Sequence, residues 1–414
     1  MLLFYNLLSS LALLLYLPWI LFKTGPEDRQ AFLRERFGIA EYSKTDIWVH
    51  AVSVGEIIAS LPFLKMLKQE FPGKKITVST TTYTGQKIAR ESFPEADRIM
   101  YIPVDTAFCV KRVVNALRPE IFVAVETELW PMLFRSLKDN GSKLVTLNGR
   151  ISNNSFKGYK RIKPLLKCLL PNIDFFYMQD EEYASRIIEL GADRGKVGVM
   201  GSFKFDIDMK ESGNLPWIEN IQGDILLAAS THRGEDEIIL DAYKMIKRSS
   251  PYLKLIIAPR HPERFDEVAE LIRGRGLEYI RRSTLQGEIA ANHDVILMDT
   301  IGELSMAFSS ISIAFIGGSL VPVGGHNILE PAYWSKPIIF GPHMDNFPIS
   351  AEFIERSAGL QINGPEDMAK TVIELLGDRT KSDSMGRNAK EIVEKNRGAV
   401  KKAVELIRSF IGTV

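Results

Sequence analysis

The sequence predicts an α/β protein with two parallel-sheet domains of similar size, preceded by one long apolar helix. Short apolar runs alternate with amphipathic stretches, the alternation restarts near residue 225, and residues 2–22 carry no charged side chain. Alternation of this kind is typical of βαβ units with right-handed crossovers. A chain of 414 residues is long enough for two or three domains at roughly 150 residues each.

The N-terminal segment LLFYNLLSSLALLLYLPWILF (2–22) is long enough to cross a bilayer, because 21 residues as a helix span about 31 Å. No basic n-region or small-residue cleavage site is evident, so the segment is expected to stay attached. Basic residues follow it closely and none precedes it: Lys23, Arg29, Arg34 and Arg36. This predicts a single-pass anchor over residues 1–22, with the rest of the chain in the cytoplasm. An in-plane helix or a core helix of the first domain is the alternative interpretation.

The first half, residues 23–210, is predicted to be a Rossmann-like domain. Amphipathic stretches such as IIASLPFLKMLKQEF (57–71) separate runs that are apolar on both faces, as buried parallel strands are. The predicted strands are DIWVH (46–50), KITVST (75–80), IMYIPV (99–104), IFVAV (121–125), KLVTL (143–147) and DFFYM (174–178).

A stretch containing Gly and Pro, ESGNLPWIENIQGD (211–224), is predicted to be a linker. The second domain, residues 225–414, repeats the α/β pattern and closes with lysine-rich helices over 365–412. Its predicted strands are ILLAAS (225–230), LKLIIA (253–258), DVILM (294–298), ISIAFI (311–316) and PIIFG (337–341).

Charge and cysteine content exclude several classes of function. There are 52 Lys and Arg against 51 Asp and Glu, a net charge of +1, so no global field favours nucleic acid. Two isolated cysteines and six scattered histidines give neither a disulfide framework nor a metal-ligand motif. We therefore expect no metal and no cofactor, and any site for an anion must be local.

Functional residues are expected just after the strands, because ligands of parallel sheets bind beyond the carboxyl ends, and two facing domains of this kind form a ligand cleft. Glu56 follows the first strand in HAVSVGE (50–56) and falls in the first turn of a helix. A carboxylate there is a competent general base for a sugar hydroxyl. A capping box with Ser53 is the competing interpretation.

Two further candidates lie in the first half. The fourth strand is followed by ETELWP (126–131), in which Glu126 stands at the strand end, while Glu128 is expected to be solvated or salt-bridged. Lys204 of GSFKF (201–205) lies near the end of this half, where it is either a surface lysine or a charge for an anionic reactant.

The second half contains three segments suited to an anionic ligand. Arg260 in PRHPER (259–264) can grip phosphate or carboxylate, and Gly302 in DTIGEL (299–304) admits close backbone approach. In GGHNILEP (324–331), paired glycines precede Asn327 and Glu330, which lie i, i+3 at a helix start. Such an ordered combination is more specific than glycines alone.

These motifs give the chain a resemblance to a known family. GGHNILEP is similar to the donor-binding segment of GT-B glycosyltransferases. Together with WVHAVSVGE, VETELWP, GSFKF, PRH and GGSLVPVGGHNILEP in that order, it makes the chain closely resemble bacterial 3-deoxy-D-manno-octulosonic acid (Kdo) transferases over nearly its whole length.

The resemblance implies a GT-B fold with two Rossmann-like domains and transfer of Kdo from CMP-Kdo to the lipid A precursor lipid IVA. The transfer would proceed with inversion, without a metal, at the cytoplasmic face of the inner membrane. Glu56 matches the family's general base, and Glu126 and Lys204 match residues thought to stabilise the transition state. The positions that match CMP-binding residues are Pro259, Arg260, Ile301, Gly302, Glu303, Asn327, Ile328, Leu329 and Glu330.

Two other functions stay open at the level of sequence. One is a GT-B transferase or epimerase that acts on UDP-sugars. The other is a membrane-tethered nucleotide-binding module without catalysis, whose function as a scaffold or sensor would survive the substitution Glu56→Ala.

Overall fold

The computed structural model describes residues 2–23, 29–206, 215–285 and 293–411. They form two compact units. The first combines the described residues up to Asp206 with those from Asn396 onward, and the second comprises the described residues between them. Each unit contains one parallel sheet of seven strands among the described residues.

In the first unit, the strands of the sheet alternate with helices along the chain. Its strands are β1 (Ile47–His50), β2 (Ile76–Thr80), β3 (Arg98–Tyr101), β4 (Ile121–Val125), β5 (Lys143–Gly149), β6 (Phe175–Met178) and β7 (Val197–Val199). Its helices are α1 (Leu2–Lys23), α2 (Arg29–Arg36), α3 (Val54–Glu70), α4 (Tyr83–Ser92), α5 (Ala107–Leu117), α6 (Pro131–Asp139), α7 (Asn153–Arg161), α8 (Lys163–Leu169) and α9 (Glu181–Leu190), with 3₁₀ segments Leu170–Asn172, Arg194–Lys196 and Phe203–Phe205.

The strand order of the first sheet is β3-β2-β1-β4-β5-β6-β7, with every pair parallel. Alternate residues of one strand pack on opposite faces, so the sheet has two cores. Trp48 and Phe122 belong to one core, while Val49 and Val123 belong to the other. β1 and β4 are neighbours although they are not consecutive, which makes the gap between them the switch point where open α/β sheets bind ligands.

The second unit repeats this architecture. Its strands are β8 (Ile225–Thr231), β9 (Lys254–Pro259), β10 (Tyr279–Arg281), β11 (Val295–Leu297), β12 (Ile313–Ile316), β13 (Ile338–Phe340) and β14 (Leu360–Gln361), in the order β10-β11-β9-β8-β12-β13-β14. Its helices are α10 (Pro216–Glu219), α11 (Glu235–Lys247), α12 (Phe265–Gly274), α13 (Leu304–Ala307), α14 (Leu329–Tyr333), α15 (Ser350–Glu355), α16 (Pro365–Gly377) and α17 (Arg379–Asn396), with 3₁₀ segments Pro262–Arg264, Arg282–Thr284 and Phe308–Ser310.

Every strand predicted from the sequence is formed, with ends that shift by up to three residues. Three strands were not predicted: β7, β10 and β14. All three lie at sheet edges and are at most three residues long, with partly exposed side chains. An edge strand buries only part of its surface, so it lacks the continuous apolar run that marks the central strands.

Two of the predicted domain boundaries are wrong. Leu215, Trp217 and Ile218 of the predicted linker 211–224 are buried in the core of the second unit, while 207–214 lie outside the described residues. The last helix, α18 (Ala399–Ile411), belongs to the first unit rather than to the predicted domain 225–414. Its apolar side chains Ala399, Val400, Ala403, Val404 and Ile407 lie in the same core as α3 and β4.

Helix α1 contacts the first unit through polar side chains. The Tyr5 hydroxyl donates to a carboxylate oxygen of Asp105 (2.8 Å), Ser9 donates to the Asp105 carbonyl (3.2 Å), and Asn6 accepts from the amide of Ala107 (2.7 Å). Among the described side chains of α1, the large apolar ones that are exposed form what we call the N-terminal apolar stripe: Leu3, Phe4, Leu7, Leu8 and Leu11. Among the described residues, no helix meets the length and hydropathy of a membrane span, and the spanning anchor over 1–22 stays a prediction.

Candidate active site

The candidate general base, Glu56, lies where the switch point of the first sheet requires it. β1 ends at His50, and α3 begins at Val54 after a short loop, which places Glu56 in the first turn of α3. The strand that ends beside β1 is β4, which leads directly into Glu126 and Glu128. The topology thus brings Glu56 close to two carboxylates that lie 70 or more positions further along the sequence.

Glu56 also forms the capping box that was its alternative interpretation. Ser53 caps α3 by accepting from the Glu56 amide (3.3 Å), and its hydroxyl donates to one carboxylate oxygen (2.9 Å). The amide of Val52 donates to the other oxygen (2.8 Å). Capping and catalysis are compatible, because each carboxylate oxygen has a second lone pair. These bonds fix the orientation of the carboxylate in advance.

Burial raises the pKa of Glu56 despite these hydrogen bonds, and the charge of Glu126 raises it further. A helix N-terminus taken alone favours the charged carboxylate. The structure reverses the balance, because partial burial penalises the charge and a second carboxylate repels it. A higher pKa makes the carboxylate a stronger proton acceptor.

Glu126 has an unusual backbone conformation. Its φ is +61°, although it is not a glycine, and its amide donates to the Leu147 carbonyl of the adjacent strand (2.8 Å). A left-handed conformation at such a residue costs roughly 1–3 kcal/mol and is often found at functional sites. Burial raises the pKa of Glu126, although Arg150 and Lys204 act in the opposite direction.

Glu128 differs from what the sequence predicted. Burial, followed by the charges of Glu56 and Glu126, raises its pKa to about 7. It is therefore neither a freely solvated carboxylate nor one whose pKa a salt bridge holds down. The three glutamates form one electrostatically coupled cluster, called here the carboxylate cluster.

Lys204 supplies positive charge beside this cluster. It lies in the 3₁₀ segment Phe203–Phe205, which is held in place because the ring of Phe203 stacks on Phe63 (5.4 Å between centroids). Desolvation lowers the pKa of Lys204, and the charge of Glu126 raises it. Arg150, which follows β5, interacts with Glu126 and Lys204 and was missed by the sequence argument, although its place after a strand was a usable signal.

In the second unit, Asn327 and Glu330 are brought together as the i, i+3 spacing predicts. The Asn327 amide donates to one Glu330 oxygen (2.9 Å), and Ser305 donates to the other (2.7 Å). Burial raises the pKa of Glu330. Ile328 and Leu329, between them, have buried side chains, so a ligand can reach these two residues only through their main chain.

The remaining predicted positions lie at the ends of neighbouring strands. Pro259 is the buried last residue of β9, and Arg260 follows it on the surface. Ile301 is 83% exposed, and Gly302 has a φ of +96°. Glu303 accepts a hydrogen bond from Arg282 (2.7 Å). Burial acts to raise the pKa of Glu303, but this contact and the neighbouring ones outweigh it and lower the pKa.

The chain is similar to known proteins of one family. Residues 31–207 match the family model described as 3-deoxy-D-manno-octulosonic-acid transferase (kdotransferase). A 3-deoxy-D-manno-octulosonic acid transferase of Haemophilus influenzae is 35% identical over 94% of this chain and 93% of its own length. One of Rickettsia bellii is 29% identical over 98% of this chain and 99% of its own.

A solved structure supports the fold alone. The UDP-GlcNAc 2-epimerase of Neisseria meningitidis, bound to UDP-GlcNAc, superposes with a TM-score of 0.60 over 88% of this chain and 100% of its own, at 13% identity. This likeness bears out the two-sheet α/β architecture of GT-B type. The sequence relatives carry the assignment further: the chain belongs to the 3-deoxy-D-manno-octulosonic acid transferase family of glycosyltransferases.

Proposed function

We propose that the chain transfers Kdo from CMP-Kdo to a hydroxyl group of lipid IVA in lipopolysaccharide biosynthesis, with Glu56 as the general base. Family membership supports Kdo as the transferred group. The observation that carries the role of Glu56 is its geometry: two hydrogen-bond donors hold a partly buried carboxylate beside Glu126.

The reaction requires one proton transfer and one displacement. The acceptor hydroxyl gives its proton to Glu56, and its oxygen attacks the anomeric carbon of Kdo. The bond from that carbon to the phosphate oxygen breaks, and its electron pair leaves with CMP. A single displacement inverts the anomeric centre. A positioned base contributes roughly 10²- to 10⁴-fold to such a step.

Glu126 and Lys204 are proposed to stabilise the charges of the transition state. A carboxylate favours the positive charge that develops as the Kdo–phosphate bond breaks, and an ammonium group favours the anionic groups of the donor. Their opposite charges interact within the first unit. The strained backbone of Glu126 supports this role, because a fold keeps such a conformation only where the surrounding structure enforces it.

The second unit is proposed to bind the CMP part of the donor. Glu330 is oriented by Ser305 and Asn327 and retains lone pairs for a ribose hydroxyl. Arg260 offers a cationic group for an anion. Pro259, the segment Ile301–Glu303, and the main chain of 327–330 complete the proposed set.

We also propose that α1 attaches the chain to the inner membrane, with both units on the cytoplasmic side. A helix usually turns its apolar face to the protein, but the described part of α1 does the reverse. Polar Tyr5 and Asn6 face the first unit, while the N-terminal apolar stripe is exposed. Such a stripe fits the apolar layer below lipid head groups, where the acyl chains of the acceptor also lie. Replacing Leu3 and Leu7 by Asp should move the protein from the membrane fraction to the supernatant of cell lysates.

The test of the transfer reaction is mass analysis of lipid IVA incubated with freshly generated CMP-Kdo. Wild-type protein should add the mass of Kdo. Glu56→Gln should reduce turnover by at least about 10²-fold and should retain CMP binding, because glutamine can still complete the capping box. Glu181→Gln is the matched control: Glu181 is an exposed carboxylate in the first turn of α9, in the same unit.

Three outcomes would contradict the proposal. An unchanged acceptor mass with wild-type protein would reject Kdo transfer. Turnover of UDP-sugars without response to CMP-Kdo would favour the UDP-sugar alternative. Full activity in Glu56→Gln would remove the proposed base while leaving the reaction in place.

A further inference from the structure

Three histidines that are far apart in the sequence meet at the switch point of the second sheet. His232 follows β8, His261 follows β9, and His326 lies in the segment after β12. β8 is the neighbour of both β9 and β12, so the carboxyl ends of these strands lie side by side. In an open parallel sheet this is where an anionic ligand binds.

Two of these histidines form a direct pair. The Nε2 atoms of His232 and His326 are 2.8 Å apart, and the rings meet edge to edge in nearly one plane, with centroids 5.0 Å apart and planes 10° apart. His261 packs edge-on against His232, with centroids 5.2 Å apart. A hydrogen bond between two Nε2 atoms requires that one carries a proton and the other offers a lone pair.

The surrounding backbone is built to hold this pair. Buried Glu235 accepts from the amides of His232 (2.9 Å), Gly318 (2.6 Å), Ser319 (2.9 Å) and Leu320 (2.9 Å), which ties the loop after β8 to the loop after β12. Gly318 has a φ of +67°, and a Cβ atom there would lie 3.0 Å from the ring of His326. A side chain at this position would press against the ring, and the left-handed backbone conformation also favours glycine.

The electrostatic environment keeps the unliganded pair from taking an extra proton. Burial lowers the pKa of His326 to about 4, and positive charge on His232, Arg260 and His261 acts in the same direction. Burial also lowers the pKa of His232, as do His261, Arg264 and Arg260.

The nearby acidic groups are already engaged. Asp236 pairs with Arg264 and accepts from Thr231 (2.6 Å), and Glu235 accepts the four amides. Cationic groups are thus gathered around the pair, and the adjacent carboxylates are occupied within the protein. An added anion would reverse the balance and favour a charged pair.

The N–H groups that the pair presents indicate which kind of anion would bind. A neutral pair presents one Nδ1–H group, whereas a pair with one added proton presents two and carries a positive charge. One outward N–H group together with a positive charge matches an anionic phosphate oxygen.

We propose that the His232–His326 pair binds the phosphate of the nucleotide donor and takes up one proton from solvent as it does so. This inference rests on the proposed donor and concerns two residues to which the sequence analysis assigned no role. When the bond from the anomeric carbon to the phosphate oxygen breaks, the phosphate charge changes from one negative to two. The proton on the pair stays hydrogen-bonded to the departing phosphate and stabilises that charge.

The test is calorimetric titration with CMP, cytidine and inorganic phosphate, in two buffers that differ in ionisation enthalpy. Wild-type protein should take up close to one proton per CMP bound at pH 7.5. Its CMP affinity should fall by up to about tenfold per unit as the pH rises from 7 to 8.5, because a ligand that brings a proton binds more weakly when protons are scarce. Cytidine should bind weakly and without proton uptake.

His232→Gln and His326→Gln remove the charge but keep a hydrogen-bonding side chain. Each should lower CMP affinity by roughly 10- to 100-fold and abolish the proton uptake, while the unfolding temperature stays near that of wild type. His293→Gln, in the loop before β11 of the same unit, is the matched control and should keep both affinity and uptake.

The outcomes separate this inference from the proposed function. CMP binding without proton uptake in wild-type protein, or unchanged uptake in both variants, would overturn the role of the pair. Equal affinity for cytidine and CMP would also overturn it. A third result would separate the two proposals: UDP binds with proton uptake, both variants lose that uptake, and CMP does not bind. The histidine pair would then still be a phosphate site, and the CMP-Kdo proposal would be wrong.

Discussion

Helix α18 should stabilise the first unit, although it lies at the opposite end of the sequence. Ile407 is fully buried in the core that α18 shares with α3 and β4. The start of this helix is tied down as well, because the Asp206 carboxylate accepts from the amides of Gly398 (2.7 Å) and Val400 (2.6 Å). We therefore predict that Ile407→Ala destabilises the first unit and leaves the second unit unchanged.

The size of this effect follows from the burial of Ile407. Truncating a fully buried isoleucine to alanine costs about 2–5 kcal/mol, through lost transfer free energy and the cavity left behind. Each 1.4 kcal/mol is a factor of ten, so amides that exchange by opening of this unit should exchange roughly 30-fold to more than 10³-fold faster.

Hydrogen exchange with mass spectrometry measures this in each unit separately. Peptides from α3 should lose protection in Ile407→Ala, and peptides from α11 in the second unit should not. Glu405→Ala is the control, because Glu405 is exposed on the same helix and surface substitutions usually change stability by less than about 0.5 kcal/mol. Faster exchange in α11 with unchanged α3 would refute the assignment of α18 to the first unit.

Three other predictions concern single side chains. Ser53→Ala removes the cap of α3 and should lower the free energy of unfolding by about 1 kcal/mol in denaturant titration; an increase would contradict the capping geometry. Arg264→Ala leaves the buried carboxylate of Asp236 without its arginine partner and should cost about 3–5 kcal/mol. Arg233→Ala, at an exposed ion pair, should leave stability near that of wild type; equal losses would contradict this difference. Since the pKa of Glu128 is raised from 4.5 to about 7, the folded state holds a proton that the unfolded state releases, so this group makes stability fall as the pH rises from about 4.5 to about 7. Glu128→Gln should remove that fall in urea titrations across this range, and an unchanged pH dependence would argue against the shifted pKa.

Local patterns predicted much of the fold and part of the candidate site. The central strands are buried on both faces, so their apolar runs are visible in the sequence, and Pro131 begins α6 as a proline at the first helical position does. The Asn327–Glu330 contact and the Ser53–Glu56 capping box followed from i, i+3 spacing. Contacts of this kind depend only on the geometry of one helical turn.

Electrostatic coupling between distant residues was not predictable in this way. Glu128 was expected to be solvated or salt-bridged, yet the fold places it beside Glu56 and Glu126. The left-handed backbone of Glu126 has no local signal, because glutamate gains nothing from that conformation by itself. Both features depend on which strands become neighbours in the sheet.

The sequence by itself determined the α/β class, the central strands and the segments that follow them, because hydrophobic periodicity and turn chemistry act over a few residues. Only the tertiary structure decided that α18 completes the first core and that His232 and His326 form a pair. These outcomes depend on strand order and on burial shared between segments far apart in the chain. The local sequence around a single histidine or a C-terminal helix does not predict which distant residues it will contact in the folded protein.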